Sequence, residues 1–211
     1  MRVVLLLHGL KDPNANGLKR LKGALEDAGW FVRTVHYGMF FLRGFMWGPF
    51  NKPLAYMLAG FTEILHALGN EVVLVAHSNG AAIAAEASRQ GACLKLLIFI
   101  NGACDRDIVL GGRTERFINY RMKSDPVLAL AWLPGLVGHP WADWNGSMGN
   151  LGPKDFKDDR VWDVDLEEQF GIRFKHAGFF SEANAPRMGA ELVKAIRWGC
   201  CDPEPLPNST K

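Results

Sequence analysis

The chain has 211 residues, 48% of them apolar and 22% charged, which is the composition of a folded globular chain and excludes global disorder. Lys plus Arg number 24 and Asp plus Glu 22, so the formal charge is +2 and no basic excess exists to neutralise a nucleic-acid backbone. A chain this long buries roughly 70% of its unfolded surface and needs neither disulfides nor a structural metal to fold.

The N-terminus reads Met1-Arg2 and then only five apolar residues, Val3 to Leu7, before His8-Gly9. A secretory signal needs an apolar region of about 7–15 residues, and a membrane span needs about 20, so neither is expected. Cys93, Cys104, Cys200 and Cys201 show no C-x-x-C spacing and no zinc-type pairing with histidines. The expectation is a reduced, cytoplasmic chain.

Short aliphatic runs bounded by turn residues alternate with longer amphipathic stretches. Val3–Leu7 is the first predicted strand. A helix follows from Leu18 to Ala28, with Leu18, Leu21, Ala24, Leu25 and Ala28 on one face and Gly29 as its stop. Phe31–His36 is the second strand and Leu54–Leu68 the next helix. Glu71–Ala76 is the third strand, and an Ala-rich helix runs from Ser78 to Gln90. Leu94–Ile100 is the fourth strand and Arg116–Met122 the fifth. Val161–Val164 or Gly171–Phe174 is expected to supply a sixth. The last helix spans Pro186 to Trp198, with proline in its first turn. The pattern predicts an α/β fold: an open, mostly parallel sheet with helices on both faces, in one domain over residues 1–200. Residues 201–211 are polar and Pro-rich and read as a flexible tail. Such sheets bind ligands at the carboxyl ends of their strands.

The third strand ends in Ala76-His77-Ser78-Asn79-Gly80, a strand turning at once into a helix with a serine at the apex. A turn that sharp strains the apex backbone and leaves no room for bulk two positions away, which accounts for Ala76 and Gly80. It exposes the Ser78 hydroxyl and sets the Asn79 N–H at a helix start, where it stabilises an anion. The plainer reading is an ordinary turn with Ser78 as helix cap. A nucleophilic serine needs a base. Of the six histidines, His8 and His77 adjoin these turns, His36 ends a strand, His66 lies on a helix and His139 precedes a proline. His176 lies on a loop past the last strand, where a base would be presented over the sheet. That base needs a carboxylate to fix its tautomer. Asp125, in Ser124-Asp125-Pro126-Val127 after the fifth strand, is the first candidate, and Asp105 or Asp107 after the fourth strand are the alternatives. After the first strand, a tight glycine turn at His8-Gly9-Leu10 is expected, which can aim the Leu10 N–H at a carbonyl oxygen bound near Ser78.

The segments LLLHGL, LVAHSNGAA, SDPV and KHAGFF, which span the chain from residue 1 to about 198, together resemble the α/β-hydrolase superfamily. The A-H-S-x-G turn resembles that of small lipases and esterases without a cap domain. The resemblance implies a Ser78–His176–Asp125 triad, with an oxyanion hole from the backbones of Leu10 and Asn79. The implied reaction is hydrolysis of a small-molecule ester or other acyl substrate through an acyl-enzyme, with no cofactor, no metal and no nucleic-acid partner. Thioesterase, amidase and acyltransferase chemistry would use the same residues, and a non-catalytic small-ligand binder on this scaffold is the alternative of another class. Asn79 stands where relatives often carry Met or Gln, its side chain expected to narrow the acyl site. His77, Phe40, Phe41 and Trp141 are expected to touch substrate. The aromatic stretch 37–53 and the long stretch 126–175 read either as an acyl groove or partial lid, or as a satellite core. Two residues spaced like His139 and Asp143 are not a metal site.

Overall fold

A computed structural model describes residues 1–9, 16–36, 47–130, 147–154, 158–171 and 176–200. These residues build a six-stranded sheet, parallel throughout, in the order β2-β1-β3-β4-β5-β6. The strands are β1 (Arg2–Leu7), β2 (Phe31–Val35), β3 (Glu71–His77), β4 (Leu96–Ile100), β5 (Phe117–Arg121) and β6 (Val161–Asp165). The longer helices are α1 (Asn16–Asp27), α2 (Trp47–Ala67), α3 (Asn79–Arg89) and α7 (Ala185–Cys200), and three five-residue helices, α4 (Pro126–Leu130), α5 (Ser147–Leu151) and α6 (Leu166–Phe170), lie between.

The central strands β1, β3 and β4 are largely apolar on both faces because both are covered. Val4 and Leu6 of β1, Val73 and Val75 of β3, and Ile98 and Ile100 of β4 face one core, closed by Leu18, Leu21 and Leu25 of α1 and by Met188, Leu192 and Ile196 of α7. The alternate residues Val3, Leu5, Leu7, Leu74, Ala76, Leu97 and Phe99 face the other, closed by Ala55 and Leu58 of α2 and by the Ala81–Ala87 face of α3. The period of two in the strands thus sorts one continuous apolar run into two cores.

The sequence expectation of an open parallel sheet clothed on both faces holds, and several boundaries move. The fourth strand starts at Leu96, because Leu94 makes only an isolated bridge to Thr114. Helix α2 begins at Trp47, seven residues before Leu54, and carries Pro53 within it. The sixth strand is Val161–Asp165, pairing with β5. Gly171, at φ 65°, ends α6 in the left-handed conformation, and residues 172–174 of the alternative stretch lie outside the described residues. The expected tail, residues 201–211, lies outside the described residues, as do residues 37–46, 131–146, 155–157 and 172–175 of the two stretches expected to form a groove or lid. Among the described residues no helix is long and apolar enough to cross a membrane.

The strand order positions the site. From β1 the chain moves outward to β2, then crosses back to lay β3 on the other flank of β1. The turns after β1 and β3 therefore leave neighbouring strands in opposite directions, and the space between them opens at the carboxyl edge of the sheet. His8-Gly9 and Ser78 stand on the two sides of that opening.

Candidate active site

Ser78 sits between β3 and α3 with φ 53° and ψ −124°, a region that non-glycine residues rarely enter. Its surroundings hold it there. The Ser78 N–H donates to the Ile100 carbonyl at 3.3 Å, and its own carbonyl accepts from the N–H groups of Ala81 and Ala103, both at 3.0 Å. Small neighbours are obligatory. A Cβ on Gly80 would lie 2.7 Å from the carbonyl oxygens of both Leu7 and His8, and one on Gly9 would lie 2.8 Å from Ser78 Cβ. These contacts bring the ends of β1 and β3 together around the serine hydroxyl.

That hydroxyl meets a histidine. Ser78 Oγ is 3.0 Å from His176 Nε2, and His176 Nδ1 is 2.6 Å from Oδ2 of Asp125. The three side chains come from positions 98 and 51 residues apart, so only the fold assembles them. Asp125 is fully buried, whereas the His176 side chain keeps 17% of its surface exposed, so the serine end is open and the carboxylate end closed. The second carboxylate oxygen, Oδ1, accepts the N–H groups of Val127 at 2.9 Å and Leu128 at 3.3 Å. Asp125 therefore caps α4 with one oxygen and holds His176 with the other, and Pro126 takes the first helical position, where its missing N–H costs nothing.

Asn101, at the end of β4, donates from Nδ2 to the same Oδ2 of Asp125 at 2.7 Å. It too is fully buried and has positive φ, 47°. Helix α5 braces this corner: Gly149 N–H donates to the Gly102 carbonyl at 2.9 Å, Met122 N–H donates to the Gly149 carbonyl at 2.8 Å, and Asn150 Nδ2 reaches the Asp125 carbonyl at 3.4 Å.

His77 lies beneath the chain. It is 6% exposed, with Phe179 and Phe180 set edge-on to its ring at 6.1 and 4.8 Å. Burial, aided by the neighbouring His176, lowers its pKa to about 3, so the ring is neutral. Asn79, also buried, turns its amide to Asn51 of α2, at 3.4 and 3.5 Å, rather than toward the serine hydroxyl.

No protein-family model matches the chain, and no curated protein matches it in sequence. Solved structures do match its fold. A protein assigned to the hydrolases of the α/β superfamily, from Xanthomonas campestris pv. campestris, superposes with a TM-score of 0.55 at 15% identity, covering 93% of this chain and 98% of its own. The chain has the α/β-hydrolase fold. The esterase domain of a Rhodothermus marinus protein matches at TM-score 0.56 and 14% identity over 92% of this chain and 85% of that one. Esterase 2 of Thermogutta terrifontis, phosphorylated by paraoxon in its structure, matches at 0.54 and 14% over 96% and 85%.

Within the α/β-hydrolase fold, the side chains of Ser78, Asp125 and His176 meet in one place. His176 Nδ1 bonds Asp125 and not the alternatives: Asp107 is exposed and faces Lys154 Nζ at 3.6 Å, and Asp105 is not among the partners of His176. The expected substrate contacts Phe40, Phe41 and Trp141 lie outside the described residues, as does the expected oxyanion donor Leu10. Sequence reasoning passed over Asn101. Its signal was present in Ile100-Asn101-Gly102, since Asn before Gly at a strand end favours a left-handed residue. Among the described residues no group of three or more His, Cys, Asp or Glu side chains is placed to hold a metal ion.

Proposed function

We propose that the chain is a serine hydrolase that cleaves carboxylic esters through an acyl-enzyme on Ser78. The observation that carries the reading is the unbroken line from Ser78 Oγ through His176 to Asp125, with links of 3.0 and 2.6 Å, starting at a serine held with φ 53°. Structural neighbours named esterases support the ester class.

In this reading His176 carries its proton on Nδ1, donated to Asp125, so Nε2 accepts the Ser78 proton as Oγ attacks the acyl carbon. The charge that develops on the carbonyl oxygen is met by the Asn79 N–H, which opens α3 and has no intrahelical acceptor. Leu10 is the proposed second donor. His176 then protonates the leaving alcohol. Water, activated by the same nitrogen, releases the acid and restores the serine. His77 serves as a floor for His176 rather than as a substrate contact.

Hydrolysis of a short p-nitrophenyl ester by the wild type and by Ser78→Ala tests the reading, together with covalent labelling by paraoxon. Turnover and a phosphorylated Ser78 in the wild type, both lost in the variant, are expected. Equal turnover in the two proteins would overturn the assignment.

A further inference from the structure

Among the described residues, only Ser78 and Asn101 combine a side chain with a positive φ. They stand at the carboxyl ends of neighbouring strands, β3 and β4, in matching places: each donates its N–H to the last strand's next neighbour, Ser78 to Ile100 and Asn101 to Tyr120 at 2.9 Å. A strained backbone is retained where something fixes it, and for Ser78 the proposed chemistry does. Asn tolerates the left-handed region, so for Asn101 the question is what its side chain does there.

The answer lies in its amide. Nδ2 reaches Oδ2 of Asp125 at 2.7 Å, the very oxygen that His176 Nδ1 approaches at 2.6 Å. The other end of the amide, Oδ1, is buried and has no hydrogen-bond partner among the described residues. A buried acceptor left without a partner is costly, and a flipped amide would set oxygen against carboxylate. The side chain is thus held by its donor end alone.

We propose that Asn101 is a positioning residue: its Nδ2–H pins Oδ2 of Asp125 where that oxygen receives the His176 Nδ1–H, and shares the negative charge that the imidazolium draws on. The inference rests on the serine hydrolase reading. With Asn101 in place, the Asp125 carboxylate has four donors among the described residues: His176 and Asn101 on Oδ2, and the N–H groups of Val127 and Leu128 on Oδ1. His176 is the titratable member of that set; the other three are neutral. Without Asn101, Oδ2 keeps its partner His176 but loses its second restraint. The carboxylate is then free to rotate about its helix cap, and its charge falls on His176 alone.

The test is the rate of p-nitrophenyl acetate hydrolysis as a function of pH, with Asn101→Gly and Asn101→Asp beside the wild type. Glycine keeps the left-handed backbone without strain and removes the donor. Its kcat is expected to fall about 10- to 100-fold, the worth of a hydrogen bond to a charged group, with KM held within about a factor of two. The acid limb of its kcat/KM profile moves to higher pH, because His176 facing the full carboxylate charge holds its proton more tightly. Asn101→Asp, close in size and also tolerant of the left-handed region, loses most activity at neutral pH, where two carboxylates face each other. It regains part toward acid, where the new carboxyl becomes a donor. Wild-type kcat and an unmoved acid limb in both variants would overturn the proposal, as would losses that only track the unfolded fraction. If instead the wild type neither hydrolyses the ester nor takes a fluorophosphonate label on Ser78, the hydrolase reading itself fails, and this inference with it.

Discussion

His77 and His176 lie ring beside ring, 5.1 Å between centroids, and the Nε2–H of the first donates to the main-chain carbonyl of the second at 3.3 Å. The imidazole proposed as base is therefore fixed at both ends: its side chain by Asp125 and its backbone by a histidine from the strand that carries the serine. Only a neutral His77 fits so dry a place next to a second imidazole.

That neutrality makes stability depend on pH. The His77 pKa falls from 6.5 in a free chain to about 3 in the fold, chiefly through burial. Between those values the unfolded chain binds a proton that the native state refuses, so stability is full above the upper value and drains away as pH falls, by up to about 1.4 kcal/mol per unit. Urea unfolding of the wild type at pH 7 and pH 4.5 should show a loss of about 2–3 kcal/mol from this group. In His77→Phe that part of the pH dependence is absent. Parallel losses in both proteins would assign the effect elsewhere.

Ser78 holds a backbone conformation suited to glycine. Ser78→Gly releases a strain of about 1–3 kcal/mol against a glycine entropy of roughly 0.5–1, so the variant should gain about 1 kcal/mol. Calorimetry would read this as a melting temperature raised by about 2–4 °C, alongside abolished ester turnover. A lower melting temperature would mean that the hydroxyl's bond to His176 outweighs the strain.

Gly80→Ala should act in the opposite sense. Its Cβ would press on two main-chain oxygens at 2.7 Å, neither of which can swing aside as a side chain tip would. Overpacking of this kind costs about 3 kcal/mol, at the upper end of its usual range, and separates β1 from the start of α3. Denaturant midpoints and activity are both expected to fall.

Asp125 can be dissected because its two oxygens have different partners. Asp125→Asn keeps a cap for α4 but cannot offer a carboxylate to His176, so kcat should drop about 10⁴-fold with little change in stability. Asp125→Ala loses the cap as well and should cost a further 1 kcal/mol or about that in unfolding. Equal stability in the two variants would show that the cap contributes nothing.

Much of this arrangement is legible in one dimension because it depends on local features. The run EVVLVA before Ser78, the small residues Ala76 and Gly80, and the Pro126 that follows Asp125 each report backbone geometry within a few positions. The short helices α4 to α6 were not legible, because five residues carry too little periodicity to register. Nor was the choice of Val161–Asp165 over Gly171–Phe174: both are short, and pairing with β5 decides between them. Asp125 could be preferred over Asp105 and Asp107 but not isolated, since the fourth and fifth strands end side by side and only the three-dimensional reach of His176 separates them. The packing of His77 is of the same kind: adjacent to the serine in sequence, it invites a substrate role, and alternation along β3 sends its side chain to the face opposite Ala76, against Phe180.

The crossing that brings β3 back beside β1 has a kinetic consequence. Strands that pair across such long stretches of chain form late, after the loops between them have closed. Gly9, Ser78, Asp125 and His176 are scattered along that path, so no early collapsed species can hold them in register. During refolding, helical circular dichroism should therefore recover first, and capture of an organophosphate by Ser78 should mark the final step, making the serine a clock for the completion of the sheet.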